Sequence, residues 1–574
     1  MGLNDLEKQL MDCVSADRLW RDLEKIVTWD RLSGTDGERQ CARYIVDSLR
    51  ALGIPVEVHE FDAYLSHPRR ASLKVSFVEG GQKVERELNC ITHAFSPCTP
   101  PGGVTGEMVS VGKGEPGDYQ GRDVAGKVVL VDALATPEKA ILAERAGAAG
   151  AIFVSQEKVL HEMILTTIWG TPAPEDLADL PRMPGLSVVK ADGEWLAQLA
   201  SRGRVTVNLQ TETSTAWRRV LLPVASIPGR SDEFLLVGGH YDAWYFGATD
   251  NGTGNACMME LARVFWENRD KLERSLKIAW WPGHSPGRYA GSTWFADHFW
   301  GLLDEKCIGY LNVDNPGVRG AYYYFPTATL ELQAFVSSVI KDAVGQEAPV
   351  TLPGKNADES FWGLGFPSLA LYVEVAPDSP ERGEVGGSGQ GWWWHSPEDT
   401  IDKCDKTLLA VDTRTHVVAI LRMLNSETLP YDLKALAAAV RNRVAELQSS
   451  AAGTFDLSEV VRGAEQFSGA VAAFEGSRGS VPARQVNAAL HQAVRLLNPV
   501  LYTRRGRFLH DRTVPTPLFP GLERLPDLAR LDPASDDYRF LYAGLVRERN
   551  RVAHALRSAA AVLADAAGSV TLGG

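Results

Sequence analysis

Between residues 218 and 430, short apolar runs alternate with helical patterns, and polar residues able to do chemistry stand just after the runs. The run at 234–237 leads into GGHYDAW, the run at 276–281 into PGHSPGRYAGST, and the run at 310–313 into DNPG. Residues 255–265, 294 onward and 330–343 carry the helical period between them, and 368–373 reads as another strand. Strands alternating with helices predict an α/β fold with a largely parallel sheet. Such sheets bind ligands at the carboxyl ends of their strands, which is where these polar residues fall.

The flanking stretches have a different texture. Residues 1–72 open with Leu19, Trp20, Leu23 and Ile26 on one helical face. RLSGTDGERQCARYIVDSLRALGI follows, with Ser33 or Thr35 as the expected helix cap, and 56–61 alternates like a strand. Residues 73–217 cluster Gly and Pro and carry short β-rich runs, SLKVSFV and KVVLVDA. There EKAILAERAGAAGAIFVS predicts a helix and then a buried strand at 151–154, so this block reads as an insert with its own small core. Residues 431–574 are Ala/Leu/Arg-rich and helical in period, as in DLKALAAAVRNRVAELQ and NAALHQAVRLLNPVL, which predicts a helical bundle. GGSGQG at 386–391 predicts a mobile loop.

Composition narrows the function classes. The 574 residues are about four times a ~150-residue domain prior, so several domains are expected. With 59 Lys and Arg against 72 Asp and Glu, the net charge of −13 argues against a nucleic-acid partner. Seven cysteines without a CxxC pair predict a reducing compartment and no disulfide framework. The N-terminal stretch has no basic-then-apolar leader pattern, and no apolar run reaches the ~20 residues of a membrane helix. A cytoplasmic protein with no membrane association is the expectation.

Four polar clusters follow the predicted strands: His240 with Asp242, then Asp250, Asp314 and His395. Two His and two Asp are a donor set for Zn²⁺. Asp242, two residues beyond His240 on an extended segment, would point the same way and orient its imidazole. Each has an ordinary structural reading when taken alone. An HxD after a strand is commonly packing, Asp250 in TDNGTG suits a helix N-cap, and His395 suits a loop beside Ser396 and Pro397. Their order in an α/β setting favours the metal reading.

Taken together, these motifs resemble the group of zinc aminopeptidases and glutamate carboxypeptidases that also contains the transferrin receptor. RLSGTDGERQ resembles the group's opening, GKVVLVDALATPEKAILAERAGAAGAIFVS its insert, LPYDLKALAAAV and the later helices its dimerisation domain, and HSPEDTIDK the surroundings of its last ligand. The resemblance implies a zinc-peptidase-like mixed sheet flanked by helices in two parts, 1–72 and 218–430. It also implies a β-rich protease-associated insert at 73–217 and a helical dimerisation domain at 431–574 that makes a homodimer. By motif, His240 and Asp314 would hold one zinc, Asp250 would bridge two ions, His395 would hold the other, and Asp242 would be the supporting acid. Another divalent metal would suit the same donors.

One motif departs. The group carries Glu-Glu, the general base and a zinc ligand, ahead of Gly-Ser-Thr. Here Gly291-Ser292-Thr293 is kept, the Glu pair is replaced by His284-Ser285, and the loop is one residue longer. Without that ligand Glu, a two-metal cluster would hold one uncompensated positive charge in a poorly solvated site, which favours a single ion. Three readings are open. His284 replaces the Glu as a ligand, with Glu359 or Glu374 as base. Alternatively His284 is itself the general base, or the site has decayed and the chain only binds, as the transferrin receptor does. The first two predict metal-assisted hydrolysis of a peptide or small amide bond. A metalloenzyme acting on a non-peptide small molecule is the further alternative.

Substrate signals are thinner. The segment before His395 is acidic and contains one arginine, Arg382, so a preference for terminal glutamate is not expected. Glu374 would meet a cationic amine or lie at the sheet edge. Arg288 and Tyr289 would bind a carboxylate or carbonyl, although Arg288 also reads as a solvated loop charge. Trp394, last of three consecutive tryptophans, would wall a substrate pocket, while at least one of the three packs in the core. The GGSGQG loop would let that wall act as a lid.

Overall fold

A computed structural model describes residues 2–383, 389, 391–451 and 453–568. The GGSGQG expectation falls mostly outside them, because 386–388 and 390 are not described. Among the described residues, no helix is long and apolar enough to cross a membrane. The cysteines are free thiols, four of them buried.

The fold is α/β, built, among the described residues, on one mixed sheet of thirteen strands. One half of it runs in the order Thr327–Ala328, Ser368–Ala370, Cys307–Asn312, Ser231–His240, Arg274–Trp281 and Thr206–Ile227. The strands Ser368–Ala370, Cys307–Asn312, Ser231–His240 and Arg274–Trp281 are mutually parallel, and the outer two of the six run antiparallel. Helices Ala16–Ile26, Asp36–Ala51, Thr253–Glu267 and Lys406–Asn425 cover one face. Ser231–His240 and Cys307–Asn312 are almost wholly buried, as strands sandwiched between layers must be.

The insert does not stand apart from this sheet. The run at 56–61 continues as one strand, Val56–Glu79, paired along its length with Thr206–Ile227. SLKVSFV is the distal end of that strand. Val104–Ser110 pairs with Thr206–Ile227, and Val128–Val131, Gly150–Val154 and Gly185–Val188 extend the order. The insert still has apolar clusters of its own, around Leu73, Ile152 and Leu186 and around Val129 and Phe153. The predicted strand at 368–373 is instead two strands. Ser368–Ala370 joins the main sheet, and Val373–Val375 turns away to pair with Ala321–Tyr324. A continuous apolar run cannot reveal that its halves belong to different sheets.

Residues beyond 431 form helices Leu433–Ala451, Ser458–Ser477, Ala483–Tyr502 and Asp536–Gly568. The second has no counterpart in the sequence reading. Its buried Val460, Ala464, Phe467, Val471 and Phe474 form the stripe that packs on the last helix.

Two glycines set the approach of the strands that carry the site. A Cβ at Gly239 would lie 2.3 Å from the Val313 carbonyl oxygen, and one at Gly238 would lie 2.4 Å from the Trp281 ring nitrogen. GlyGly before His240 therefore lets the His240 and Asp314 strands close up. Gly239→Ala should cost about 1–3 kcal/mol by overpacking. A lower melting temperature together with weaker metal binding is the expected result, and wild-type values for both would refute this role.

Candidate active site

Every parallel strand of the sheet's centre ends at the same edge, and the site assembles there. His240 is the last residue of its strand, His284 stands three residues past Trp281, and Asp314 two past Asn312. Asp250 lies in the kinked segment Ala248–Gly252 before helix Thr253–Glu267, and it does not cap that helix. Its position is fixed from Asp399, whose carboxylate accepts from Thr249 N (2.9 Å), Thr249 Oγ1 (2.8 Å) and Asp250 N (3.1 Å). The turn after His240 is tied to the N-terminal segment. The buried Arg31 guanidinium donates to the carbonyls of Tyr241, Phe246 and Gly247.

The two oxygens of Asp250 each face an imidazole. His240 Nε2 lies 3.0 Å from Oδ1, and His395 Nε2 lies 3.2 Å from Oδ2. Asp314 Oδ1 is 3.7 Å from His240 Nε2 and, though buried, has no hydrogen-bond partner. Donor atoms of His240, Asp250 and Asp314 lie within 4.8 Å of one another.

The other ring nitrogens settle what these contacts mean. His240 Nδ1 bonds the Asp242 carbonyl at 2.9 Å, and His395 Nδ1 bonds the Glu162 carbonyl at 2.7 Å. A carbonyl only accepts, so both Nδ1 atoms carry protons and both Nε2 lone pairs are left to face carboxylate. That is stable only with a cation between them, either a proton or a metal. Burial disfavours charge on His240, but the surrounding carboxylates of Asp242, Asp250 and Asp314 outweigh it and hold its pKa well above the usual imidazole value. Burial likewise pushes Asp250 up, and its bonds to His240 and His395 outweigh this and hold it well below the usual carboxylate range. The donor set fits a divalent ion.

Asp242 does touch the His240 ring, but through its main-chain carbonyl; its carboxylate is 3.6 Å away. That carboxylate instead accepts from the His284 backbone N–H at 3.0 Å and from Ser33 Oγ. Ser33 Oγ in turn accepts from Gly283 N at 3.2 Å. Ser33 is thus a brace for the His284 loop and not a helix cap. Thr35 holds the cap position without a capping bond.

His284 stacks on His240, with ring centroids 3.9 Å apart and planes 15° apart. Its Nδ1 is 2.8 Å from Asp358 Oδ2, and Asp358 Oδ1 accepts from Ser292 Oγ at 2.9 Å. Ser292 belongs to the retained Gly-Ser-Thr. Asp358, Asp399 and Glu162 are neighbours of the candidate site that sequence reasoning missed. Asp399 lies within the quoted HSPEDT motif, and Asp358 immediately precedes the noted Glu359, so local signals existed for two of them. Glu162 acts through its backbone, which leaves no signal.

A cavity of about 720 Å³ opens over these groups. Asp250, His284, Asp314 and His395 lie on its wall, together with Arg288, Tyr289, Glu359, Glu374 and Trp394. Glu359 is buried with one carboxylate oxygen unpartnered, and burial pushes its carboxyl up to about 7. Glu374 pairs with Arg382 at 3.2 Å. Trp394 stacks on His395 at 3.6 Å, whereas Trp393 is the core member and donates to Thr249 Oγ1 at 3.1 Å. Arg288 is buried, not a solvated loop charge.

Residues 224–419 match the family model "Peptidase family M28", and residues 104–196 match "PA domain". Residues 224–419 are thus similar to peptidase family M28. The candidate metal donors, His284 and Asp358 all lie within the matched M28 span, and Glu162 lies within the PA span. A probable glutamate carboxypeptidase of Arabidopsis thaliana is 24% identical over 61% of this chain, which spans 60% of that relative's length. A probable lipoprotein aminopeptidase of Mycobacterium tuberculosis is 28% identical over 70% of this chain and 84% of its own. Among solved structures, a zinc aminopeptidase from Bacillus subtilis has 22% identity and a TM-score of 0.55, covering 72% of this chain and 96% of that one. A peptidase M28 precursor from Shewanella amazonensis has 18% identity and a TM-score of 0.59, covering 74% and 97%. At these identities the structural likeness speaks for the fold. The M28 match and the aminopeptidase relatives support a metallohydrolase.

Proposed function

We propose that the chain hydrolyses peptide or small amide bonds at a zinc site held by His240, Asp250 and Asp314, with His284 and Asp358 as the proton-handling pair. The observation that carries this reading is the Asp358 carboxylate on His284 Nδ1, beside the metal-facing His240 ring. A divalent ion on those donors would lower the pKa of water toward neutrality and polarise the scissile carbonyl. The Asp358 bond fixes the Nδ1–H tautomer, so His284 Nε2 is the basic atom. Nε2 takes the proton of the attacking water, Asp358 stabilises the imidazolium, and the same proton passes to the leaving amine. Glu359, protonated near neutrality on the same wall, is a second proton donor.

His284 as a fourth ligand has less support, since the close-set donor group contains His240 and not His284. Asp250 Oδ2 and His395 Nε2 make a second position with two protein donors, poorer than the first. One tightly held ion is therefore the favoured state. Pairing of two chains through residues 431–574 belongs to the same proposal, supported by the exposed Phe508 and Phe540 of that region.

The test is a panel of dipeptides, aminoacyl amides and N-acyl amino acids, assayed before chelation, after it, and after zinc is restored. Turnover lost on chelation and regained with zinc is expected. Zinc-replete protein that cuts no member of the panel would contradict the proposal.

A further inference from the structure

Five arginines are buried among the described residues; three of them pair with carboxylates, and Arg31 is solvated by backbone carbonyl oxygens. Arg263 pairs with Glu260 and Glu267, Arg274 with Glu233, and Arg495 with Asp304. Arg288 is the exception. It is 8% exposed, and its guanidinium meets two neutral hydroxyls: Tyr289 OH at 3.0 Å and Thr513 Oγ1 at 3.4 Å. No carboxylate among the described residues pairs with it. Lys355, on the same cavity wall, has Asp511 at 3.4 Å.

A guanidinium stays protonated at any ordinary pH. Burying it without a counter-charge is costly, so a fold that does so at a cavity wall leaves the counter-charge to what fills the cavity. The placement is also deliberate in backbone terms. Arg288 and Tyr289 both adopt left-handed φ, +50° and +69°, a conformation that non-glycine residues hold mainly where the surroundings enforce it. Three parts of the chain enforce it here. Gly170 N of the insert donates to the Arg288 carbonyl at 2.5 Å, Thr513 of the helical region meets the side chain, and Tyr289 N donates to the His284 carbonyl at 2.8 Å. Arg288 thus shares a loop with His284, whose ring meets Tyr289 edge-on at 5.0 Å.

We propose that Arg288 is the docking point for a carboxylate carried by the substrate, so that the amides cut here bear a free carboxylate close to the scissile bond. The planar guanidinium matches a carboxylate in two-pronged geometry. The inference rests on the hydrolase reading above for its word "substrate", but the anion site itself does not.

The test has two arms. In the kinetic arm, leucyl-alanine and N-acetyl-alanyl-leucine are each compared with their C-terminal amides. Wild type should prefer the free acid of at least one pair by 10-fold or more in kcat/KM. Arg288→Met should bring that ratio near one, and Arg288→Lys, which keeps the charge but loses the fork, should lower it at least 3-fold. In the binding arm, 3-phenylpropionate and 3-phenylpropanamide are titrated calorimetrically into zinc-loaded protein. Arg288→Met should weaken the acid at least 10-fold and the amide less than 3-fold. If Arg288→Met does not fold, as judged by melting, Arg288→Lys carries both arms with the same direction of change. Acid affinity and acid-to-amide ratios unchanged by the substitutions would overturn the proposal. If wild type cuts none of these compounds, the hydrolase reading fails, and the binding arm still decides the role of Arg288.

Discussion

Replacing His284 by Ala lowers kcat by about 10³-fold, the scale of a lost general base, and leaves the fold in place. The stacking partner His240 keeps its Nδ1 bond to the Asp242 carbonyl, so removing one ring does not unmoor the other. Asp358→Asn should follow in the same direction, because an amide facing Nδ1 no longer enforces the required tautomer; about 10²-fold or more is expected. The pair should also be non-additive: once the imidazole is gone, the Asp358 change has nothing left to orient. Single-turnover assays on the two single variants and the double variant check this. Full independence of the two substitutions would separate Asp358 from His284.

Replacing His240 by Ala weakens zinc binding by more than about 100-fold, beyond the loss usual for a residue that only supports a ligand, and activity disappears with the metal. His240 supplies the sole imidazole of the close-set donor group. His395→Ala should behave differently. His395 faces the other oxygen of Asp250, so its loss should empty the weaker position and lower turnover while the first ion stays bound. Zinc-to-protein ratios after gel filtration distinguish the two. Equal loss of metal in both variants would mean that the two histidines share one ion.

Much of this site was legible because its donors are announced locally. His240, Asp314 and the His284 loop each follow an apolar run, and parallel strands put the ends of such runs on one edge. Asp250 was recognisable from TDNGTG, although the same letters suit a helix cap, and only its two imidazole neighbours decide between the readings. The solvated-loop reading of Arg288 failed because its burial comes from Thr513 and Gly170, far away in sequence, folding over the loop. Ser33 looked like a cap because a serine ahead of a helix commonly is one; its tie to Asp242 spans 209 residues. Asp358 lies 74 residues from His284, so no local spacing marks the two as a pair. In the fold, the alternation of strand and helix was readable. The joining of insert and core into one sheet was not, since strand pairing is set by partners and not by the strand's own letters.

The most direct measurement is a calorimetric zinc titration of the His284→Ala protein against wild type. A general base beside the metal leaves the titration alone: the same stoichiometry and a Kd within about 3-fold. A Kd weakened by more than 10-fold, or a lost equivalent of zinc, would put His284 in the coordination sphere and contradict its assignment as the partner of Asp358.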